Sequence, residues 1–239
     1  MQYGNQEPNY AKLMQIYEAF DARNHRHALK LIQQTMAKFP NSYILKALRC
    51  LALYRTERRL EALHHLKEVL AVPHTEEAVL NAVAMILKAE EDWPALAKMY
   101  SMASEAHPNS KGLAEQVFFS AVRAQDYKEM QKSAQGLYKR LPEPRYTLWQ
   151  IGGIYVQALM ESNDLQGNLQ ATLATKMLER LFNSDKAVTQ EVMWLYIEIL
   201  SSQEKHDQAI AICCSSVGQK AFSLKTDRLR TILSLYSDS

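Results

Sequence analysis

Small or apolar residues recur along this chain at a fixed interval: Ile16, Cys50, Ala84, Phe118 and Gly152 stand 34 positions apart. A second series, Ala28, Ala62, Leu96 and Met130, keeps the same interval. Twelve positions beyond each of these comes a proline or its neighbour: Pro40, His74 beside Pro73, Pro108 and Pro142. The residue before a proline is pushed out of the helical region, and Asn or Ser then caps the free N–H groups of the next helix. "FPNS" (39–42) and "HPNS" (107–110) therefore each read as a helix stop followed by a helix start. "VPHT" (72–75) reads the same way, with Thr75 as the cap. The pattern predicts one helix pair for every 34 residues.

Aromatic residues three before the second series, Trp93 and Tyr127, and the Trp149, Gly152 and Tyr155 of "WQIGGIY" identify the period as a tetratricopeptide repeat. One helix pair cannot bury its apolar stripe alone, so pairs stack and each covers the next. The expected fold is all-α, a right-handed tetratricopeptide-like solenoid of about six helix pairs plus a final helix. The 34-residue repeats run over 9–142 and longer, irregular ones over 143–239, in one domain. Gly152 and Gly153 are expected at a close helix crossing. After Gly152 the corresponding site is Ile197, 45 positions on. The excess amounts to about three helical turns. It predicts long helices over Pro144–Glu161 and Asn168–Phe182 joined by a turn at Ser162–Gly167. A sixth pair is expected over Val188–Ser202 and His206–Ser216. The last stretch, Leu224–Tyr236, reads as the first helix of a seventh pair, with Leu229, Ile232, Leu233 and Tyr236 on one broad apolar stripe. Solenoids finish with a polar cap, so this half repeat predicts a piece of a longer chain whose last helix frays or self-associates in isolation.

Composition agrees with helices: there are only seven Gly and seven Pro in 239 residues. Three cysteines, two of them adjacent, do not make a disulfide framework. No run of eighteen apolar residues occurs, and Met1–Pro8 is polar, so no membrane association and a cytoplasmic location are expected. The net charge of +2 is unevenly spread, because residues 1–70 carry eleven Lys/Arg against six Asp/Glu. That excess marks Arg23, Arg26, Lys30, Arg55, Arg58 and Arg59, at helix ends and turns, as candidate contacts for an anionic partner. A solvated helix surface is the competing reading.

Chemical constellations are weak. Adjacent residues on a helix point about 100° apart, so neither His64 and His65 nor Cys213 and Cys214 chelate a metal from one face. Cys50 and Cys213 fall on inner helix faces and read as small hydrophobes. Glu90, Glu91 and Asp92 read as solvated turn charge. Tyr54, Tyr100, Phe118, Phe119 and Trp194 read as core. Leu13, Tyr17 and Leu48 stand where tetratricopeptide proteins that grip a C-terminal carboxylate carry Lys and Asn. No catalytic, metal or cofactor site is expected.

Three longer stretches carry a resemblance: "LMQIYEAFDARNHRHALKLIQ" (Leu13–Gln33), "LKALRCLALYRTERRLEAL" (Leu45–Leu63) and "YKEMQKSAQGLYKRLPEPRYTLWQI" (Tyr127–Ile151). They resemble the N-terminal region of auxiliary subunits of N-terminal acetyltransferase B (NatB). The resemblance implies a non-catalytic scaffold that wraps a catalytic subunit of the GNAT fold and helps hold it at the ribosome. That partner uses acetyl-CoA on nascent chains beginning Met-Asp, Met-Glu, Met-Asn or Met-Gln. The six basic residues then become candidate ribosome contacts, with rRNA phosphates as the anion. A generic tetratricopeptide adaptor for another complex or peptide is the alternative.

Overall fold

In a computed structural model of the chain, residues 8–160, 165–183, 188–222 and 225–237 are described. They form helices and no strand. Two compact units divide the chain, Met1–Ala124 and Gln125–Ser239.

The first unit holds α1 (Tyr10–Asp21), α2 (His25–Met36), α3 (Tyr43–Arg55), α4 (Arg59–Leu70), α5 (Glu77–Ala89), α6 (Trp93–Ala106) and α7 (Lys111–Ala124). Within pairs α1 packs on α2, α3 on α4 and α5 on α6; between pairs α2 packs on α3 and α6 on α7, and α3 also packs on α5, the first helix of the next pair. Both residue series lie in the core: Ile16, Cys50, Ala28 and Ala62 are fully buried, and Ala84, Phe118 and Leu96 nearly so. Small side chains at these crossings let the backbones approach, while Leu45, Leu53 and Ile86 fill the space between them. Burying each of these three contributes about 1.5–3 kcal/mol.

The turns inside the pairs share one backbone device. Arg23, Glu57, Glu91 and Gln125 have φ of 55°, 64°, 55° and 56°, and they stand one 34-residue repeat apart. Each is the left-handed residue that ends a helix. Around three of them the Schellman pattern is complete: Asn24, Arg58 and Asp92 donate their N–H groups to the carbonyls of Ala19, Leu53 and Leu87, while Arg23, Glu57 and Glu91 donate to Phe20, Tyr54 and Lys88. The next residue starts the second helix, and at Asn24 and Asp92 its side chain accepts from His27 N and Ala95 N. The turns between pairs follow the proline series. Ser42 and Ser110 accept from Leu45 N and Leu113 N, as the two Pro-Asn-Ser triplets require. At the third site the expectation is corrected: the residue before α5 is Glu76, whose side chain makes no capping bond, and Thr75 lies one position too early.

The second unit holds α8 (Tyr127–Arg140), α9 (Pro144–Met160), α10 (Leu165–Asn183), α11 (Gln190–Ser202), α12 (His206–Cys214), α13 (Ser216–Ala221) and α14 (Lys225–Ser237). The extra residues go where the lengthened register places them, since α9 has 17 and α10 has 19 residues. Accordingly α9 runs on through Leu159, and the left-handed turn returns at Glu204, with φ 57°. The expected turn at Ser162–Gly167 is shorter than read: Leu165–Gly167 already belong to α10, and the rest lies outside the described residues. Between α8 and α9 the close approach is at Gly153, where an added Cβ would stand 3.1 Å from Cγ of Gln131. Gly152, also read as a packing glycine, has open space around that position. The short α13 was not legible in the sequence. Ser215 caps it by accepting from Gly218 N, and any side chain at Gly218 would collide with the carbonyl of Ile212.

On α14 the apolar stripe is only partly covered. Leu235 and Thr231 are buried and Ile232 packs against the core of this unit, whereas Leu229 and Leu233 are 53% and 67% exposed. The side chain of Tyr236 lies outside the described residues.

Candidate functional site

The six basic residues do not share one environment. Arg26 and Lys30 stand four apart on the exposed face of α2. Arg23 is the left-handed turn residue after α1, and Arg55 is the last residue of α3. These four make no ion pair among the described residues. The other two are engaged. Arg58 pairs with Glu61 one turn along α4 at 2.5 Å. Arg59 holds Glu90 with both arms of its guanidinium, Nε to Oε1 at 2.7 Å and Nη2 to Oε2 at 2.5 Å.

Glu90 also accepts from the Tyr54 hydroxyl at 2.7 Å. The Arg59 guanidinium, and after it the Tyr54 hydroxyl, hold the Glu90 carboxyl below the usual Glu range. Glu90 is thus not the solvated turn charge that its neighbours suggested: its side chain is only 11% exposed. A signal was present, because Arg59 and Glu90 sit on successive intra-pair turns, which stacking brings together. Tyr54 is half-buried: its ring packs against the core of this unit while its hydroxyl reaches Glu90. Among the other aromatics read as core, Tyr100 and Phe118 are buried, but Phe119 is 45% and Trp194 42% exposed.

Two hollows open on the first unit. One, of about 950 Å³, crosses α1, α3 and α5, with Tyr17, Leu51 and Met85 in its lining and Arg23 and Arg55 at its border. The other, of about 620 Å³, lies between α5 and α7 and shares Glu77 and Asn81 with the first. Sequence reasoning missed this surface, although one step beyond the first series gives Tyr17, Leu51, Met85 and Phe119, a second apolar ladder at the same period. The positions that would grip a carboxylate are apolar and packed: Leu48 is buried, and Leu13 and Tyr17 lie against the core.

Nucleophilic chemistry has no support at the cysteines in the core. Burial pushes the Cys50 thiol up to about 12 and the Cys213 thiol to about 11, far from the thiolate needed for reaction. Cys214 is exposed. Among the described residues no cluster of His, Cys, Asp and Glu is arranged to hold a metal ion, and no helix is long and apolar enough to cross a membrane.

Known proteins resemble this chain over almost its full length. The human protein named "N-alpha-acetyltransferase 25, NatB auxiliary subunit" is 26% identical over 232 residues, which cover 97% of this chain and 24% of the human protein. The Arabidopsis thaliana "N-terminal acetyltransferase B complex auxiliary subunit NAA25" is 26% identical over 221 residues, covering 90% of this chain and 20% of its own length. The chain thus spans about a quarter of the length of the curated relatives it matches. Among solved structures, a chain of the complex titled "Structure of Naa15/Naa10 bound to HypK-THB" superposes with a TM-score of 0.52 at 14% identity, covering 95% of this chain and 39% of that one. That likeness is one of fold. The family described as "Psidin, N-terminal TPR repeats region" matches residues 11–238. With helix pairs, 34-residue turns and this match in agreement, the chain belongs to the Psidin N-terminal TPR repeat family.

Proposed function

We propose that this chain is the N-terminal helical-repeat part of a non-catalytic NatB auxiliary subunit. Its role is to hold a GNAT-fold catalytic subunit that acetylates nascent chains beginning Met-Asp, Met-Glu, Met-Asn or Met-Gln. The observation that carries the reading is the similarity to named NatB auxiliary subunits across 97% of the chain. The architecture suits the role, since stacked helix pairs give an extended surface. We read residues 9–142 and 143–239 as one solenoid domain, working in the cytoplasm.

Ribosome association belongs to the same proposal. Of the six candidate contacts, Arg23, Arg26, Lys30 and Arg55 are available, whereas Arg58 and Arg59 must first release Glu61 and Glu90. Phosphate contacts release counterions, so ribosome binding should weaken steeply with salt.

The test is affinity purification of the tagged full-length protein from cytosol at low and high salt. Recovery of an acetyltransferase subunit at both, with ribosomes at low salt only, supports the reading. Recovery of chaperones or another complex in its place overturns it in favour of a generic adaptor.

A further inference from the structure

We propose that the hollow across α1, α3 and α5 receives a partner protein segment that is apolar in the middle, acidic at one end and basic at the other. This rests on the scaffold reading above and names a surface of the scaffold that takes a partner.

The floor of the hollow comes from a repeated position. Tyr17, Leu51 and Met85 stand 34 residues apart and all line it. Met85 is 52% exposed at the centre of a helix, where an unbranched thioether adapts to apolar ligands.

The ends of the hollow differ in charge. Because α4 returns the chain, α3 and α5 run in the same direction while packed together. Arg55 is the last residue of α3 and Glu77 the first of α5, so they stand at opposite ends, about 18 Å apart for helices of this length. Arg23 joins Arg55 at one end; Asp21 also lines it, leaving one positive charge in excess. His25, in the same lining, has its Nδ1 shielded from water with no hydrogen-bond partner. At the other end Asn81 stands one turn beyond Glu77.

An acidic side chain at Arg55 and Arg23, and a Lys or Arg at Glu77, match this polarity, which leaves Arg26 and Lys30, outside the lining, as the phosphate contacts of the ribosome reading. About six extended residues or twelve helical ones span the distance. RNA fits poorly, since a phosphate chain along the floor would meet apolar side chains and then the Glu77 carboxylate.

The test is photo-crosslinking. A benzophenone side chain replaces Met85 in the full-length protein, co-purified with its acetyltransferase subunit and ribosomes, and the crosslinked product is sequenced. A control carries the probe at Leu60, which is 82% exposed on α4 and outside the hollow. The expected product is one protein segment of the stated charge pattern. Arg55→Glu should reduce it about tenfold, because attraction becomes repulsion, and changing the segment's acidic residue to Lys should restore it. Arg55 is exposed, so the variant is expected to keep the helical circular dichroism of the parent. Crosslinks to rRNA, yields no higher than at Leu60, or yields unchanged by Arg55→Glu overturn the proposal. The acetyltransferase subunit is quantified in the same samples. Its retention without a specific crosslink removes the groove alone, and its loss from the unmutated protein removes the scaffold reading.

Discussion

Arg59, the first residue of α4, clasps Glu90, the residue just after α5, so that two turns one repeat apart are joined by a bidentate ion pair. Tyr54 completes the link from α3. Because the Glu90 carboxyl titrates lower in the folded chain than in the unfolded one, its stabilisation is present in full above the ordinary Glu value. It is lost as pH falls through the depressed folded value. Urea unfolding from neutral to acid pH should therefore show a smaller loss of stability in Glu90→Gln than in the parent, with Glu90→Gln less stable at neutral pH. Tyr54→Phe should cost about 1 kcal/mol at neutral pH and much less in the Glu90→Gln background.

The left-handed turns offer a gain. A residue with a Cβ at positive φ costs roughly 1–2 kcal/mol, partly offset by the extra unfolded-state freedom of glycine. Glu57→Gly, at φ 64°, should raise stability by about 0.5–1 kcal/mol, seen as a higher urea midpoint with unchanged slope. Glycine at Glu61, inside α4, should do the opposite.

The two adjacent glycines separate packing from propensity. Gly152 has room for a Cβ in a helix interior, so Gly152→Ala should stabilise by about 1 kcal/mol. Gly153 faces Gln131 Cγ at 3.1 Å and Met130 Cβ at 3.4 Å, so Gly153→Val should destabilise by about 1–3 kcal/mol. Thermal unfolding of both variants checks the order.

Thiol labelling tests the core. Cys214 should react with maleimide near neutral pH in the native protein. Cys50 and Cys213, buried with thiols pushed up to about 12 and 11, should label only at the rate of unfolding. Fast labelling of Cys50 would mean that the first-series crossing is not packed as described.

What was legible in the sequence follows from what repetition constrains. Ile16, Cys50 and Ala84 announce the core because each must meet the same neighbour one repeat away. Ser42 and Ser110 announce helix starts because capping is local chemistry. The left-handed turns at Arg23, Glu57 and Glu91 were hidden because Arg and Glu give no glycine signal; only the tertiary hairpin holds them at positive φ. The period singles out Gly152, yet the close approach falls on Gly153, because which of two adjacent helix positions meets α8 is decided by packing and not by spacing. Leu229 and Leu233 share a stripe with Ile232, yet a stripe does not say how far its neighbours extend over it. The candidate surface was legible least. Arg58 and Arg59 look as available as Arg55 until Glu61 and Glu90 are placed beside them. Met85 and Phe119 look like core residues until their helices turn them outward.

Reconstitution decides whether the full-length protein is a scaffold or itself transfers acetyl groups. Acetyl transfer from acetyl-CoA to a Met-Asp peptide is measured for the full-length protein alone, for its GNAT-fold partner alone, and for the two together. A scaffold should give no transfer by the full-length protein alone and transfer by the complex that requires the partner. Transfer by the full-length protein alone, or failure of the two to form a complex, would contradict the scaffold reading.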